Sequence, residues 1–164
     1  MTKALDVDAL LRVLREHGVE FVVIGGFAVA AHGYVRATKD LDIVPRPEPA
    51  NRRRLFAALR SIEAEPLELT DFALEELPVA FDPAGLDEGG NWALRTTHGR
   101  IDVMQWVAAI DDYARLSADA LAVELPEVGQ VLFAGFEDLV AMKDAAGRPE
   151  DRIDLARLRS LRDG

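Results

Sequence analysis

The chain has no cysteine, which excludes disulfides, thiolate metal sites and a cysteine nucleophile. It fits a reducing, cytoplasmic setting. No stretch approaches the ~20 consecutive apolar residues of a membrane helix. The first twenty residues, MTKALDVDALLRVLREHGVE, are charged throughout and lack the apolar run of a signal peptide. Basic residues are scarce: 19 Lys and Arg face 29 Asp and Glu, a formal net charge of −10. A general nucleic-acid binder presents a large basic face, so that class is disfavoured, although a local basic groove stays open. An anionic substrate would need a divalent cation or clustered arginine to approach such a surface. What the chain does have is apolar content, 49% over 164 residues. That is enough for one folded domain spanning residues 1–164 with its own core.

The apolar periodicity organises the chain. Val7, Leu10, Leu11 and Leu14 fall at helical spacing and predict an amphipathic helix over about residues 6–16, ended by His17-Gly18. Residues 21–24 are apolar and β-branched and predict a buried strand. Gly25-Gly26 breaks it, and alanine-rich residues 27–32 predict a short helix. Residues 40–44, Asp-Leu-Asp-Ile-Val, begin with the alternation of a half-buried strand, and Pro45 and Pro47 stop it. A surface helix follows over 49–60. Residues 63–90, with several prolines and acids, predict short strands and a mobile loop at 82–90. Residues 92–97 and 100–106 predict a hairpin turning at His98-Gly99. Weaker strands fall at 120–125 and 130–133, and helices at 136–146 and 149–161, the last starting on Pro149. The order predicts an α+β (mixed α/β) fold, a small mixed sheet backed by helices.

Asp40 and Asp42 lie two apart on a predicted strand and so share one face, while Leu41 and Ile43 point to the other. Two like charges side by side cost stability unless something neutralises them. Magnesium, which prefers oxygen ligands, is the simplest remedy. Asp102, between Ile101 and Val103, also opposes its apolar neighbours. If its strand lies beside residues 40–44, three carboxylates converge, a set able to hold two magnesium ions about 3.5–4 Å apart. Asp102 is then the natural ligand of the ion serving an acceptor hydroxyl, and a candidate to take its proton. Gly25 and Gly26, ahead of a helix, offer backbone N–H groups to phosphate oxygens. The phosphate-loop and dinucleotide glycine fingerprints are both absent.

Val23-Ile24-Gly25-Gly26, then thirteen residues, then Asp40-Leu41-Asp42-Ile43 resembles the signature of the polymerase-β-like nucleotidyltransferases. Arg36-Ala37-Thr38-Lys39 resembles the lead-in of the small bacterial members, the minimal nucleotidyltransferases and toxins of the AbiEii kind. Asp102 matches the third carboxylate, and Lys143 through Arg148-Pro149, Asp151 and Asp154 resembles their C-terminal pattern. The resemblance implies the nucleotidyltransferase fold and magnesium-dependent transfer of a nucleoside monophosphate from a nucleoside triphosphate, with release of pyrophosphate. It implies catalytic and metal-binding roles for Asp40, Asp42 and Asp102, and nucleotide contacts for Gly25, Gly26, Arg36, Thr38, Lys143 and Asp154. The acceptor hydroxyl belongs to an RNA 3′ end, a protein or a small molecule, and an antitoxin is a candidate partner. Gly26 departs from the serine of many members, and no separate acceptor-binding domain is visible. The alternative is a catalytically inactive module of the same fold that binds nucleotide or a partner.

Plainer readings stand beside these. Lys39 reads as an ion-pair partner of the acids, Lys143 as a solvated lysine, and Asp154 as a partner of Arg157. The apolar side of residues 136–146 is either core or a dimer face. Trp92 and Trp106 read as core, Arg52-Arg53-Arg54 as a solvated helix face, and His17, His32 and His98 receive no role.

Overall fold

The computed structural model describes residues 3–67 and 81–164. Its helices are α1 (Val7–Glu16), α2 (Gly25–Ala31), α3 (Pro49–Ser61), α4 (Pro83–Asp87), α5 (Tyr113–Ala118), α6 (Phe136–Ala146) and α7 (Pro149–Asp163). Its strands are β1 (Phe21–Ile24), β2 (Asp40–Pro45), β3 (Glu65–Pro66), β4 (Trp92–Thr96), β5 (Gly99–Val103), β6 (Leu121–Leu125) and β7 (Gly129–Phe133). Among the described residues the strands form one sheet in the order β3-β4-β5-β2-β1-β7-β6. It is mixed: β2 with β5 and β1 with β7 are parallel, and the remaining pairs are antiparallel. The expected mixed sheet with helices is therefore the observed architecture.

Central β1 is buried on both faces, as its unbroken apolar run requires. In β2 the alternation holds: Leu41 and Ile43 are fully buried, while Asp40 and Asp42 keep partial access to solvent. Helix α1 packs Leu10, Leu11 and Leu14 into the core, and the Asp6 carboxylate caps it by accepting from the Ala9 N–H at 3.0 Å. Buried Asn51 ties α3 to the sheet. Its amide accepts from the Glu20 N–H at 2.8 Å and donates to the carbonyls of Glu20 and Arg46 at 2.9 and 3.0 Å. Its polar atoms are thus partnered away from water.

The structure corrects several expectations. Helix α2 starts at Gly25, two residues earlier than its alanine-rich stretch indicates. Residues 82–90 are not a loop throughout: Asp82 caps α4 by accepting from the Gly85 N–H at 2.7 Å, Pro83 opens its first turn, and Leu86 is buried. Of the short strands expected in 63–90, β3 is present, and residues 68–80 lie outside the described residues. Strand β5 ends at Val103, and α5 is a helix with no strong periodic signal. Leu139 and Met142 of α6 are buried, so that side of the helix is core.

Candidate active site

The chemistry-bearing face is set by the pairing of β2 with β5. The parallel register places Asp40 opposite Arg100 and Asp42 opposite Asp102. Because side chains two apart share a face, the four form a square of three carboxylates and one guanidinium. One carboxylate oxygen from each aspartate lies within 4.8 Å of the others. Arg100 donates to both oxygens of Asp102, from Nε at 2.8 Å and Nη2 at 2.9 Å. It also approaches the nearer oxygen of Asp40 at 3.7 Å.

The square is short of positive charge. Burial, reinforced by Asp40 and Asp102, pushes the Asp42 carboxyl up to about 7. Burial and the neighbouring Asp102 raise Asp40 as well, with Arg100 opposing. An oxygen-only donor set this crowded fits a divalent cation such as magnesium, which takes oxygen ligands and supplies the missing charge.

Antiparallel pairing puts Ile24 opposite Asp42, so Gly25 lies against that carboxylate. Gly25 has φ +70°, and a Cβ there would stand 2.2 Å from the nearer Asp42 carboxylate oxygen. Glycine is therefore required twice, by conformation and by space. Gly25→Ala is expected to destabilise the protein by at least ~1 kcal/mol and to displace Asp42; urea unfolding checks the first effect and metal titration the second. At Gly26 a Cβ would meet the Thr38 hydroxyl oxygen at 2.7 Å. A side chain at 26 would therefore crowd this placement of Thr38, whose hydroxyl donates to the Arg36 carbonyl at 3.3 Å. With only seven residues, α2 adds little dipole to these amides.

The basic wall is built by contacts distant in sequence. Lys143 is buried, 2.9 Å from the Asp154 carboxylate and 3.2 Å from that of Asp151. Arg36 grips Asp154 with two hydrogen bonds of 2.9 Å, and Arg148 donates from Nε to Asp151 at 2.8 Å. Burial would raise both carboxyls, but these hydrogen bonds hold Asp151 and Asp154 below the ordinary carboxylate value. Three cations thus surround two buried anions.

Two adjoining cavities meet at the carboxylates. One, of about 350 Å³, is lined by the three aspartates, Arg100, Lys143 and Trp106, among others. The other, of about 360 Å³, is lined by Gly26, Arg36, Thr38 and Lys39, with Gly25, Asp40, Asp42, Lys143 and Arg148 shared at the junction.

Every residue expected at the site is thus gathered around the carboxylates, with Asp154 behind the wall, lining neither cavity. Lys143 is buried where a solvated lysine was the plainer reading. Asp154 pairs with Arg36 and Lys143, where Arg157 was the local candidate. Lys39 is exposed and lines the second cavity. Trp106, expected in the core, is 68% exposed. Its backbone is clamped by Asn91, which accepts from its N–H at 2.9 Å and donates to its carbonyl at 3.0 Å. Arg100, Arg148 and Trp106 were not among the expected site residues. Arg100 was findable, since it stands two positions before Asp102 on the same strand face.

No protein-family model and no curated protein sequence matches this chain. Solved structures do. The lincomycin-bound lincosamide antibiotic adenylyltransferase LnuA superposes with a TM-score of 0.61 at 12% identity, over 97% of this chain and 99% of that one. ANT(2")-Ia in complex with adenylyl-2"-tobramycin gives 0.53 at 17% identity, over 94% and 86%. An antigenic nucleotidyltransferase-like protein from Paracoccidioides brasiliensis gives 0.57 at 15% identity, over 94% and 72%. The fold is that of nucleotidyltransferases.

Proposed function

We propose that the chain is a magnesium-dependent nucleotidyltransferase that moves a nucleoside monophosphate from a nucleoside triphosphate to a hydroxyl and releases pyrophosphate. The carrying observation is the convergence of Asp40, Asp42 and Asp102 on one sheet face, within 4.8 Å of one another. These three would hold magnesium, and the donor set suits two ions. When bound, the metal neutralises phosphate charge and lowers the pKa of the acceptor hydroxyl.

The remaining work falls to the chain. Arg36, Lys143 and Arg148, with the Gly25 and Gly26 amides, receive the triphosphate and balance the charge that builds on the leaving pyrophosphate. Thr38 adds a hydroxyl on the same side. Asp154 acts from behind, fixing Arg36 and Lys143. Asp102 accepts the proton of the attacking hydroxyl. The oxygen of that hydroxyl bonds to the α-phosphorus as the bond to pyrophosphate breaks.

The acceptor class we propose is a small hydroxylated molecule, with ATP as donor. Structures of this fold hold lincomycin and an adenylylated tobramycin, and the cavity beside the carboxylates has the volume for a compact substrate. The test is pyrophosphate release from each of the four triphosphates, with magnesium, across a panel of hydroxylated acceptors. Acceptor-dependent release is expected. Nucleotide binding without release under any acceptor would instead identify an inactive nucleotide-binding module.

A further inference from the structure

Arg100 is the one side chain of the charged square that the proposed reaction leaves without a task. Its guanidinium engages both Asp102 oxygens and reaches toward Asp40, so it spans two of the three carboxylates. Paired guanidinium and carboxylate of this geometry form the stronger kind of hydrogen bond. Arg100 is also partly exposed, with 40% of its side chain open to solvent, so the guanidinium has room to leave. On the same strand, Asp102 is far more enclosed, at 15%. Of the two partners, the arginine is the one with the more open path to solvent.

Resting on the metal-dependent reading of this site, we propose that Arg100 is a resident counter-ion that competes with the divalent metal for Asp102 and Asp40, keeping the carboxylates assembled until the metal displaces it. The rival role is orientation: a carboxylate has lone pairs to spare, and a partner that stays in place while the metal binds strengthens the ligand. The two roles predict opposite signs. A competitor's removal tightens metal binding, and an orienting partner's removal weakens it.

The experiment is titration of Mn²⁺ alone, followed by the electron paramagnetic resonance signal of free Mn²⁺, into wild type, Arg100→Gln and Arg100→Lys, with circular dichroism confirming folding. Arg100→Gln is expected to bind Mn²⁺ at least about tenfold more tightly than wild type, because a positive charge beside the ion is gone. Arg100→Lys, which keeps the charge but loses the two-pronged grip, is expected in between. In EDTA at pH 8 the glutamine variant is expected to melt below wild type, having lost its counter-ion. If Arg100→Gln proves unfolded without metal, the comparison of Arg100→Lys with wild type carries the same sign. Equal or weaker Mn²⁺ binding in the variants, with wild type binding normally, would overturn the competitor role alone. Failure of wild type and every variant to bind Mn²⁺ would overturn the metal site and this proposal with it.

Discussion

Asp42→Asn is expected to abolish nucleotidyl transfer and, in metal-free protein above neutral pH, to raise the melting temperature. Loss of a proposed metal ligand should cut transfer by on the order of 10³-fold or more, the scale of removing a central catalytic group. The stability gain has a separate origin. Folding lifts the Asp42 carboxyl to about 7 because it is buried beside Asp40 and Asp102, while in the unfolded chain it sits at about 4. Between those values the folded protein holds a proton that the unfolded chain has released. The stability from this carboxyl is complete below about pH 4 and is lost as the pH rises through about 7. Each tenfold gain in proton affinity is worth about 1.4 kcal/mol, so ionising Asp42 removes on the order of 3 kcal/mol after some allowance for its remaining contact with solvent. Wild type in EDTA should therefore melt lower at pH 8 than at pH 5, and Asp42→Asn should flatten that slope. Magnesium should restore wild type at pH 8, do little at pH 5 where the ligand is protonated, and leave the variant unmoved. Melts at the two pH values, with EDTA or magnesium, read all of these effects.

The second large effect lies at the basic wall. Lys143→Met leaves Asp151 and Asp154, both buried, with Arg148 and Arg36 but without the cation between them. Breaking a buried ion pair costs roughly 3–5 kcal/mol when the charge left behind has no other partner; here Arg36 and Arg148 still hold the two carboxylates, so a loss toward the lower end of that range is expected. The urea midpoint should fall accordingly. Combining Lys143→Met with Asp154→Asn should cost less than the two changes separately, since the second removes a charge that the first has deprived of one of its two cations. The pH dependence here has the opposite sign to that of Asp42. Burial works against Asp151 and Asp154, but their hydrogen bonds hold both carboxyls below the ordinary value. Their contribution is present above about pH 4 and is lost on further acidification, as the carboxyls protonate. The site thus joins a carboxylate cluster that is easier to fold when protonated to a wall that is most stable when ionised.

How much of this is legible in the sequence depends on the range of the contacts. The period of two along Asp40-Leu41-Asp42-Ile43 fixes which carboxylates share a face, because a strand leaves no other arrangement. Asp102 between Ile101 and Val103 obeys the same rule, so the convergence needed only the pairing of β2 with β5, which the structure supplies. Arg100 belonged to the same period and was equally readable. The basic wall was not. Arg36 and Asp154 meet across 118 positions, and no local pattern distinguishes Lys143 from a solvated lysine on a helix. Trp106 misled for a related reason. A tryptophan's apolar area favours the core, but here Asn91 holds its backbone beside a cavity that Trp106 lines, and the residue stays largely exposed. Helix α4 could be read from Asp82 as cap and Pro83 as first-turn residue, signals that the surrounding glycines and acids obscured.

Calorimetric titration of the four nucleoside triphosphates, with magnesium and again with EDTA, into wild type and Asp102→Asn addresses the metal-and-nucleotide site itself. At least one triphosphate should bind wild type in magnesium, and that binding should collapse both in EDTA and in Asp102→Asn. Binding of the same strength in all three conditions, or no binding of any triphosphate to wild type, would contradict a site built on Asp40, Asp42 and Asp102.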